Sequence, residues 1–588
     1  MSASENRTWL EHYPEWTDPH LDYGDDTLND VYAKTVKEYP DRPALRFFGR
    51  AWTYAELDEQ VRRAAAGLRS LGVSRGDHVA LVMPNCPQHA IAYWAVLRLG
   101  AVVIEHNPLY TAHELRHPFH DHGARVAICW DKAVPVLEEL RDDAPLETIV
   151  AVNMLLDLPW LMRTALKLPV GPLKASREKL HSPAPNVMGF DEVLGDDVGG
   201  DGRDLEPAED VTTDDVAVIM YTSGTTGTPK GAQLTHGSLV ANIIMGRAWV
   251  PGLGEEREVV LGVLPMFHAY GLTIANNLSM LIGGEMVLVP AAEMDLIMKV
   301  MKSNRPTWVP GVPTLYEKII ATAEEKHIDL EGVKFSFCGA ATLPVSTVEK
   351  WERLTGGRLV EGYGLTETSP IIVGNPMDGN RRPGYVGIPF PDTDLAVVDP
   401  EEPTRRVADG EEGEVIVRGP QVFAGYLNRP EDTEAGFTDG PDGAEGGRWY
   451  RTGDVGVLED DGFLRLVARI KEVIITGGFN VYPAEVEEVL TDLDEIVDAT
   501  VVGLPKADGS ELVVAAVALA DYANLDVDSY RAHARENLTG YKVPRAYFHL
   551  DEMPRDQMGK VRRRDVRDVL MKQLEDSGRT VDSLIKRH

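Results

Sequence analysis

The stretch that most limits what this chain can be is Tyr221-Thr-Ser-Gly-Thr-Thr-Gly-Thr-Pro-Lys-Gly231. The apolar run Val216–Met220 feeds it, and such a run before a Gly-rich turn predicts a strand. Gly224 and Gly227 permit backbone angles closed to other residues, so successive N–H groups can converge on an anion. Thr222, Ser223, Thr225 and Thr226 add hydroxyl donors, and Lys230 adds a positive charge. This is the chemistry of a triphosphate cradle. A flexible surface loop does not account for so long a stretch of such biased composition directly after a strand. The Walker spacing G-x-x-x-x-G-K-[ST] fails, because Lys230 follows Pro229 and precedes Gly231. A P-loop kinase is therefore disfavoured.

Around this loop the chain alternates strand-like and helical patterns. Thr53-x-x-Glu56 predicts a capping box at a helix start. Apolar runs at Val79–Met83, Ala101–Ile104 and Val126–Cys129 predict strands. Alternation of this kind argues for an α/β fold of stacked layers with mostly parallel strands. Residues 186–215 are polar and read as a surface connection, and Asp439–Gly447 reads as a loop. Near 470 the pattern changes: the strand-like run Phe463–Val467 leads into Arg469-Ile-Lys-Glu472, and Pro483 opens a helix bearing Glu485 and Glu487. We place the domain boundary at Lys471, giving a large domain over 1–470 and a small α+β domain over 471–588. The 588 residues are too many for one compact core.

Composition narrows the class. The formal charge is −34, from 59 basic and 93 acidic residues. Such a chain does not seek nucleic acid through a general field. Arg outnumbers Lys about twofold, and acid-rich, Lys-poor surfaces resemble those of proteins from salt-loving organisms; a merely acidic, soluble enzyme is the plainer alternative. Cys86, Cys129 and Cys338 form no C-x-x-C pair and read as reduced core residues. The N-terminus lacks the basic start and apolar core of a signal peptide, and no apolar run reaches the roughly 20 residues needed to span a bilayer. The expectation is a cytoplasmic protein.

The phosphate loop resembles the signature loop of the adenylate-forming superfamily of acyl-CoA synthetases, adenylation domains and firefly-type luciferases. Further signatures of that family follow in order: Leu264-Pro-Met-Phe-His268, Gly362-Tyr-Gly-Leu-Thr-Glu-Thr368, Tyr450-Arg-Thr-Gly-Asp454, Arg469-Ile-Lys471 and Gly559-Lys560. Thr53-Tyr-Ala-Glu-Leu57 and Gly76-Asp77 extend the likeness into the N-terminal third. The resemblance implies a large N-terminal domain and a small, mobile C-terminal lid. It implies ATP, Mg²⁺ and coenzyme A, with a carboxylic acid activated as its adenylate and then passed to the CoA thiol. Tyr363 would stack on adenine, flanked by Gly362 and Gly364, with Gly339 and Ala340 lining the slot. Thr366 would offer a hydroxyl to the α-phosphate, and Glu367 would be the Mg²⁺ ligand. Asp454 and Arg469 would bind the ribose. His268 resembles the residue near the substrate carboxylate and the thiol entry path. Lys560 would be the catalytic lysine, in Gln557-Met-Gly-Lys560, where the family often has Ser before the Gly. Lys471 would be the hinge, and Gly477 and Gly478 would border the pantetheine path.

Trp9-Leu-Glu-His-Tyr-Pro14, Asn375-Pro-Met-Asp-Gly379 and Gly384-Tyr-Val-Gly387 resemble bacterial long-chain fatty acyl-CoA synthetases, which favours a medium- to long-chain fatty acid. An aryl or short branched acid is the runner-up. Loading of a separate carrier protein and a non-catalytic nucleotide-binding regulator stand as further alternatives. His113-Glu-Leu-Arg-His117 spells the H-E-x-x-H zinc motif, but Pro118 follows at once and no third ligand is evident. Within 155–179, Leu158-Pro-Trp-Leu-Met162 lies beside Arg163, Lys167, Lys174, Arg177 and Lys179. That mixture suits either the surface of an anionic bilayer or a short helix packed on the large domain. Oligomeric state is not legible in the sequence.

Overall fold

Thr53 and Glu56 close the predicted cap: the Thr53 hydroxyl accepts the Glu56 N–H at 3.2 Å, and the Glu56 carboxylate accepts the Thr53 N–H at 2.8 Å. The helix Tyr54–Ser70 starts there. The computed structural model describes residues 7–168, 170–195, 205–222, 228–339, 343–441, 443, 447–470, 472–476, 479–506, 511–556 and 559–584. The chain divides into two compact units. The first comprises Met1–Leu395, Val417–Thr438 and Arg448–Tyr450, and the second Ala396–Ile416, Asp439–Gly447 and Arg451–His588.

Two sheets build the first unit. The eight-stranded sheet runs, edge to edge, through Gly425–Tyr426, Lys230–Thr235, Val216–Thr222, Val102–His106, His78–Val82, Val126–Trp130, Thr148–Val152 and Met188–Gly189. From Val216–Thr222 to Met188–Gly189 every pairing is parallel. The other sheet has nine strands and includes Trp308–Gly311, Phe335–Cys338 and Arg358–Gly364 as parallel neighbours. Helix Pro87–Arg98 is buried along all 12 residues and packs on strands of both sheets. An apolar helix with no polar face belongs in such an interior layer. Asn85 ties the layers together by donating to the Gly262 and Leu264 carbonyls at 3.0 and 2.8 Å.

The predicted strands appear within a residue or two of their expected ends. Within the stretch 186–215, residues 188–193 depart from expectation. Met188–Gly189 extends the sheet, and Phe190 and Val193 are buried at 2% and 0% exposure. A Cβ at Gly67 would lie 2.2 Å from the Val193 carbonyl oxygen, so the backbones touch there. Two apolar side chains in a polar run suffice to pull that segment inward. All three cysteines are buried and free, as expected.

In the second unit, alternation along the strands fills two cores. The sheet Ile496–Pro505, Glu511–Leu519 and Ala546–His549 turns Val501, Val513, Ala515 and Val517 toward helices Pro483–Thr491 and Val527–Asn537. The alternate residues Val502, Leu504, Val514 and Ala516 meet Val566, Leu570 and Leu574 of helix Arg563–Asp576.

Candidate active site

Hydrogen-bond register defines the mouth of the phosphate loop. Thr222 ends one strand and pairs with Lys230, the first residue of the next. Ser223, Gly224, Thr225, Thr226 and Gly227 lie between them, outside the described residues. Lys230 is 8% exposed, forms an ion pair with Asp432, and holds its Nζ 5.4 Å from the centre of the Tyr426 ring. The loop's return is anchored from below. His117 donates from Nε2 to the Pro229 carbonyl at 3.1 Å, and the Tyr221 hydroxyl donates to Asp121 at 2.9 Å.

The residues of the H-E-x-x-H spelling have other tasks. Glu114 is the capping-box residue of helix Ala112–His122, accepting from the Thr111 N–H and hydroxyl at 2.9 Å each. His113 is exposed, and His117 is spent on Pro229. Among the described residues no group of three or more His, Cys, Asp or Glu is placed to hold a metal. Nearby, His122 accepts the Ala124 N–H on Nδ1 at 3.0 Å. Its Nε2 therefore carries the proton and donates to His106 Nε2 at 3.1 Å. Burial pushes His106 down to about 3, so the pair stays neutral beneath the stacked Tyr221 ring.

The strand Arg358–Gly364 carries Tyr363 and the two glycines that flank it. A Cβ at Gly362 would lie 2.1 Å from Phe337 Cζ, and one at Gly364 would lie 1.9 Å from the Pro370 carbonyl oxygen. Backbone leaves no room for a side chain at Gly364, and one at Gly362 would have to displace the Phe337 ring. Tyr363 between them is 9% exposed. Register pairs Cys338 with Glu361, so Gly339, just past the end of its strand, follows at the level of Gly362 within the neighbouring one. Ala340 lies outside the described residues. Burial pushes the Glu361 carboxyl up to about 8, against a lowering by the Leu343 N–H.

A 3₁₀ turn, Thr366–Thr368, comes next. Thr366 is half-exposed, and Glu367 is 8% exposed. Glu367 Oε1 accepts from the Tyr426 hydroxyl at 2.8 Å and from Thr222 Oγ1 at 3.5 Å. Thr222, Lys230 and Glu367 are thus brought together around Tyr426. His268 is exposed and caps the short turn Ala269–Gly271, which runs into a π-helical stretch, Leu272–Asn277. Such irregular helices recur at functional sites.

In the second unit a hairpin sets Asp454 opposite Arg469, with Arg469 Nε 2.9 Å from Asp454 Oδ1. Lys560 stands in a turn closed by Asp556, whose carboxylate accepts the Lys560 N–H at 2.9 Å. Burial lowers its pKa and Arg469 lowers it further, while Glu472, Asp454 and Asp556 oppose them. Asp454, Arg469 and Lys560 thus share one electrostatic neighbourhood. Lys471, Gly477 and Gly478 lie outside the described residues.

Sequence reasoning gave no role to Tyr426, Asp432 or Tyr450. Tyr426 and Asp432 lie 59 and 202 positions from the site residues they serve. Tyr450 sat inside a recognised motif without a task. The only local signal at Tyr426 is Gly425-Tyr426, a small residue before an aromatic one, which is too common to single out.

The chain matches the AMP-binding enzyme family over residues 32–427 and the AMP-binding enzyme C-terminal domain over 485–560. It is 37% identical over 564 residues to a long-chain-fatty-acid–CoA ligase of Bacillus subtilis (strain 168), covering 95% of this chain and 97% of that one. It is 34% identical over 532 residues to a feruloyl-CoA synthase of Amycolatopsis sp, covering 90% and 96%. ATP-bound MatB from Rhodopseudomonas palustris shares the fold with a TM-score of 0.75 and 28% identity, over 92% of this chain and 99% of that one. With motif order, strand placement and near-full-length similarity in agreement, the chain belongs to the AMP-binding enzyme family.

Proposed function

We propose that this protein is an ATP-dependent fatty acyl-CoA ligase acting on medium- to long-chain acids. The observation that carries the reading is the convergence of Thr222, Lys230 and Glu367 at the phosphate loop. Near-full-length similarity to relatives named long-chain-fatty-acid–CoA ligase supports it. In the first step an oxygen of the acid attacks the α-phosphorus of ATP, and the bond to pyrophosphate breaks. In the second the CoA sulfur attacks the acyl carbonyl, AMP leaves, and the thiol proton passes to solvent.

Each step joins or separates anions, so positioned cations and donors carry the catalysis. Lys230 and the Thr222 hydroxyl hold the phosphates, and Thr366 donates to the α-phosphate. Tyr363 stacks on adenine, with Gly339 beside it. Asp454 accepts from the ribose hydroxyls and Arg469 donates to the ribose. His268 stands by the acid's carboxylate, and Lys560 bridges the reacting oxygens. Magnesium fits this donor set, because it takes one or two carboxylates and completes its shell with phosphate oxygens and water. Glu367 would hold it, and the bound ion would neutralise phosphate charge.

With ATP, Mg²⁺, CoA and a panel of acids from acetate through palmitate to ferulate, AMP, pyrophosphate and a fatty acyl-CoA are the expected products. Release of ADP and phosphate would overturn the adenylate mechanism. Preference for ferulate would favour the aryl-acid reading that the feruloyl-CoA synthase relative supports.

No helix of the described residues is long and apolar enough to cross a membrane. We place a peripheral contact with an anionic bilayer at residues 155–179, as part of the same proposal. Trp160, Leu161, Leu168 and Val170 are 68, 64, 52 and 50% exposed beside five basic residues.

A further inference from the structure

Glu367 is held by more than its own turn. Its Oε1 takes the Tyr426 hydroxyl at 2.8 Å, with Thr222 Oγ1 at 3.5 Å from the same oxygen. Among the described residues no hydrogen bond reaches Oε2. Among the described residues one carboxylate oxygen is held and the other is not.

The direction of these bonds follows from proton counting. The Tyr426 phenol has one proton, and an ordinary phenol keeps it at neutral pH. That proton goes to Glu367, since an ionised carboxylate only accepts. The Tyr450 hydroxyl, 3.2 Å from the Tyr426 oxygen, must then be the donor between the two phenols. The Tyr450 phenol likewise keeps its proton at neutral pH and has it to give. The result is a one-way relay, Tyr450 to Tyr426 to Glu367.

The relay is built on rigid backbone. Tyr426 pairs in register with Ala232, two residues past Lys230, and the Leu427 N–H donates to the Gly231 carbonyl at 2.8 Å. The Tyr426 N–H donates to Thr433 Oγ1 at 2.8 Å. The Phe423 N–H donates to the Glu367 carbonyl at 2.9 Å, and its ring meets those of Tyr426 and Tyr450 edge-on at 4.9 and 5.2 Å. One short segment therefore fixes both the carboxylate and the strand that bears the phosphate-loop lysine.

We propose that Tyr426, backed by Tyr450, is a positioning residue that orients the Glu367 carboxylate so that a single oxygen faces the metal–nucleotide. A glutamate left to itself rotates about its last bond and offers either oxygen. Magnesium demands near-ideal octahedral geometry, so a ligand that wanders weakens the site. Outer partners of metal ligands are worth about 10–100-fold in affinity or activity. The proposal rests on the reading of Glu367 as the Mg²⁺ carboxylate.

The test uses the full chain and the variants Tyr426→Phe, Tyr450→Phe and Glu367→Gln. ATP binding is measured by calorimetry with Mg²⁺ and with EDTA, and half-saturating Mg²⁺ is measured in ATP–pyrophosphate exchange. Thermal unfolding checks each fold. Tyr426→Phe is expected to raise the half-saturating Mg²⁺ about tenfold while metal-free ATP binding stays unchanged. Tyr450→Phe is expected to give a smaller shift of the same kind. If Glu367→Gln moves the Mg²⁺ dependence and Tyr426→Phe does not, the positioning role is overturned. It is also overturned if Tyr426→Phe weakens ATP equally with and without Mg²⁺, for then the phenol only fills space. If Glu367→Gln itself leaves the Mg²⁺ dependence intact, the assignment of Glu367 fails, and the positioning role with it.

Discussion

Lys560 needs its proton for the role proposed here, and its surroundings make that proton easier to lose. Burial is the larger influence and Arg469 acts the same way. The ammonium fraction falls as pH rises through the lowered pKa. Adenylate formation is therefore expected to decline on the alkaline side below the ordinary lysine range. Thioester formation from supplied acyl-AMP is not expected to share that limb. Lys560→Ala should slow adenylate formation on the order of a hundredfold, the loss typical of one positioned donor, and spare the second step. Lys560→Arg should flatten the alkaline limb, because guanidinium does not deprotonate. Pyrophosphate exchange and a thiol-consumption assay across pH separate the two steps; equal losses in both would remove Lys560 from its assigned role. Lys560, Lys230 and Glu367 could be singled out from the sequence because each sits in a short stretch of biased chemistry. Tyr426 and Tyr450 were not, because a tyrosine's task here is set by which strand lies beside it.

Among elements, buried parallel strands were the easiest to read, since both faces are apolar and the run is unbroken. The edge strand Gly425–Tyr426 has two residues and no pattern, and only its partner defines it. The insertion at 155–179 was half legible. Leu158 and Leu166 turn inward at 2% and 5% exposure, yet helices Trp160–Ala165 and Gly171–Leu180 contain no buried residue. Lys174 is paired with Glu178 at 3.7 Å and Lys179 with Glu293 at 3.2 Å, both at the surface, where such pairs are weak. Apolar side chains beside cations suit the headgroup boundary of an anionic bilayer. In low salt the protein is expected to sediment with phosphatidylglycerol vesicles. Trp160→Ala together with Arg163, Lys167, Lys174, Arg177 and Lys179→Gln should abolish this. Failure of the unaltered protein to pellet at any salt would mean that it takes its acid from solution.

For the whole molecule, charge is the dominant fact. At −34 the chain repels ATP and CoA, both polyanions, and repels itself. The screening length falls from about 10 Å at 0.1 M salt to about 3 Å at 1 M. Tm and kcat/KM for ATP are expected to rise together toward molar KCl. Best activity in dilute buffer, lost in molar KCl, would separate the acidic surface from any saline role. The existence of a second small unit was legible in the sequence, and its main piece is Arg451–His588. Its other pieces, Ala396–Ile416 and Asp439–Gly447, were not, because only long-range contacts assign them.

The order in which the chain is made adds a constraint of its own. The strand Lys230–Thr235 is flanked by Val216–Thr222, made just before it, and by Gly425–Tyr426, made much later. From Thr235 to Tyr426 a ribosome adds 191 residues (426 − 235). At about 5–20 residues per second that takes roughly 10–40 s. Through this interval the nascent sheet shows an open edge at Lys230–Thr235, and open edges recruit other chains. The phenols that steady Glu367 arrive with and after the strand that closes it, so the growing chain is exposed to misassociation until shortly before its nucleotide site is complete.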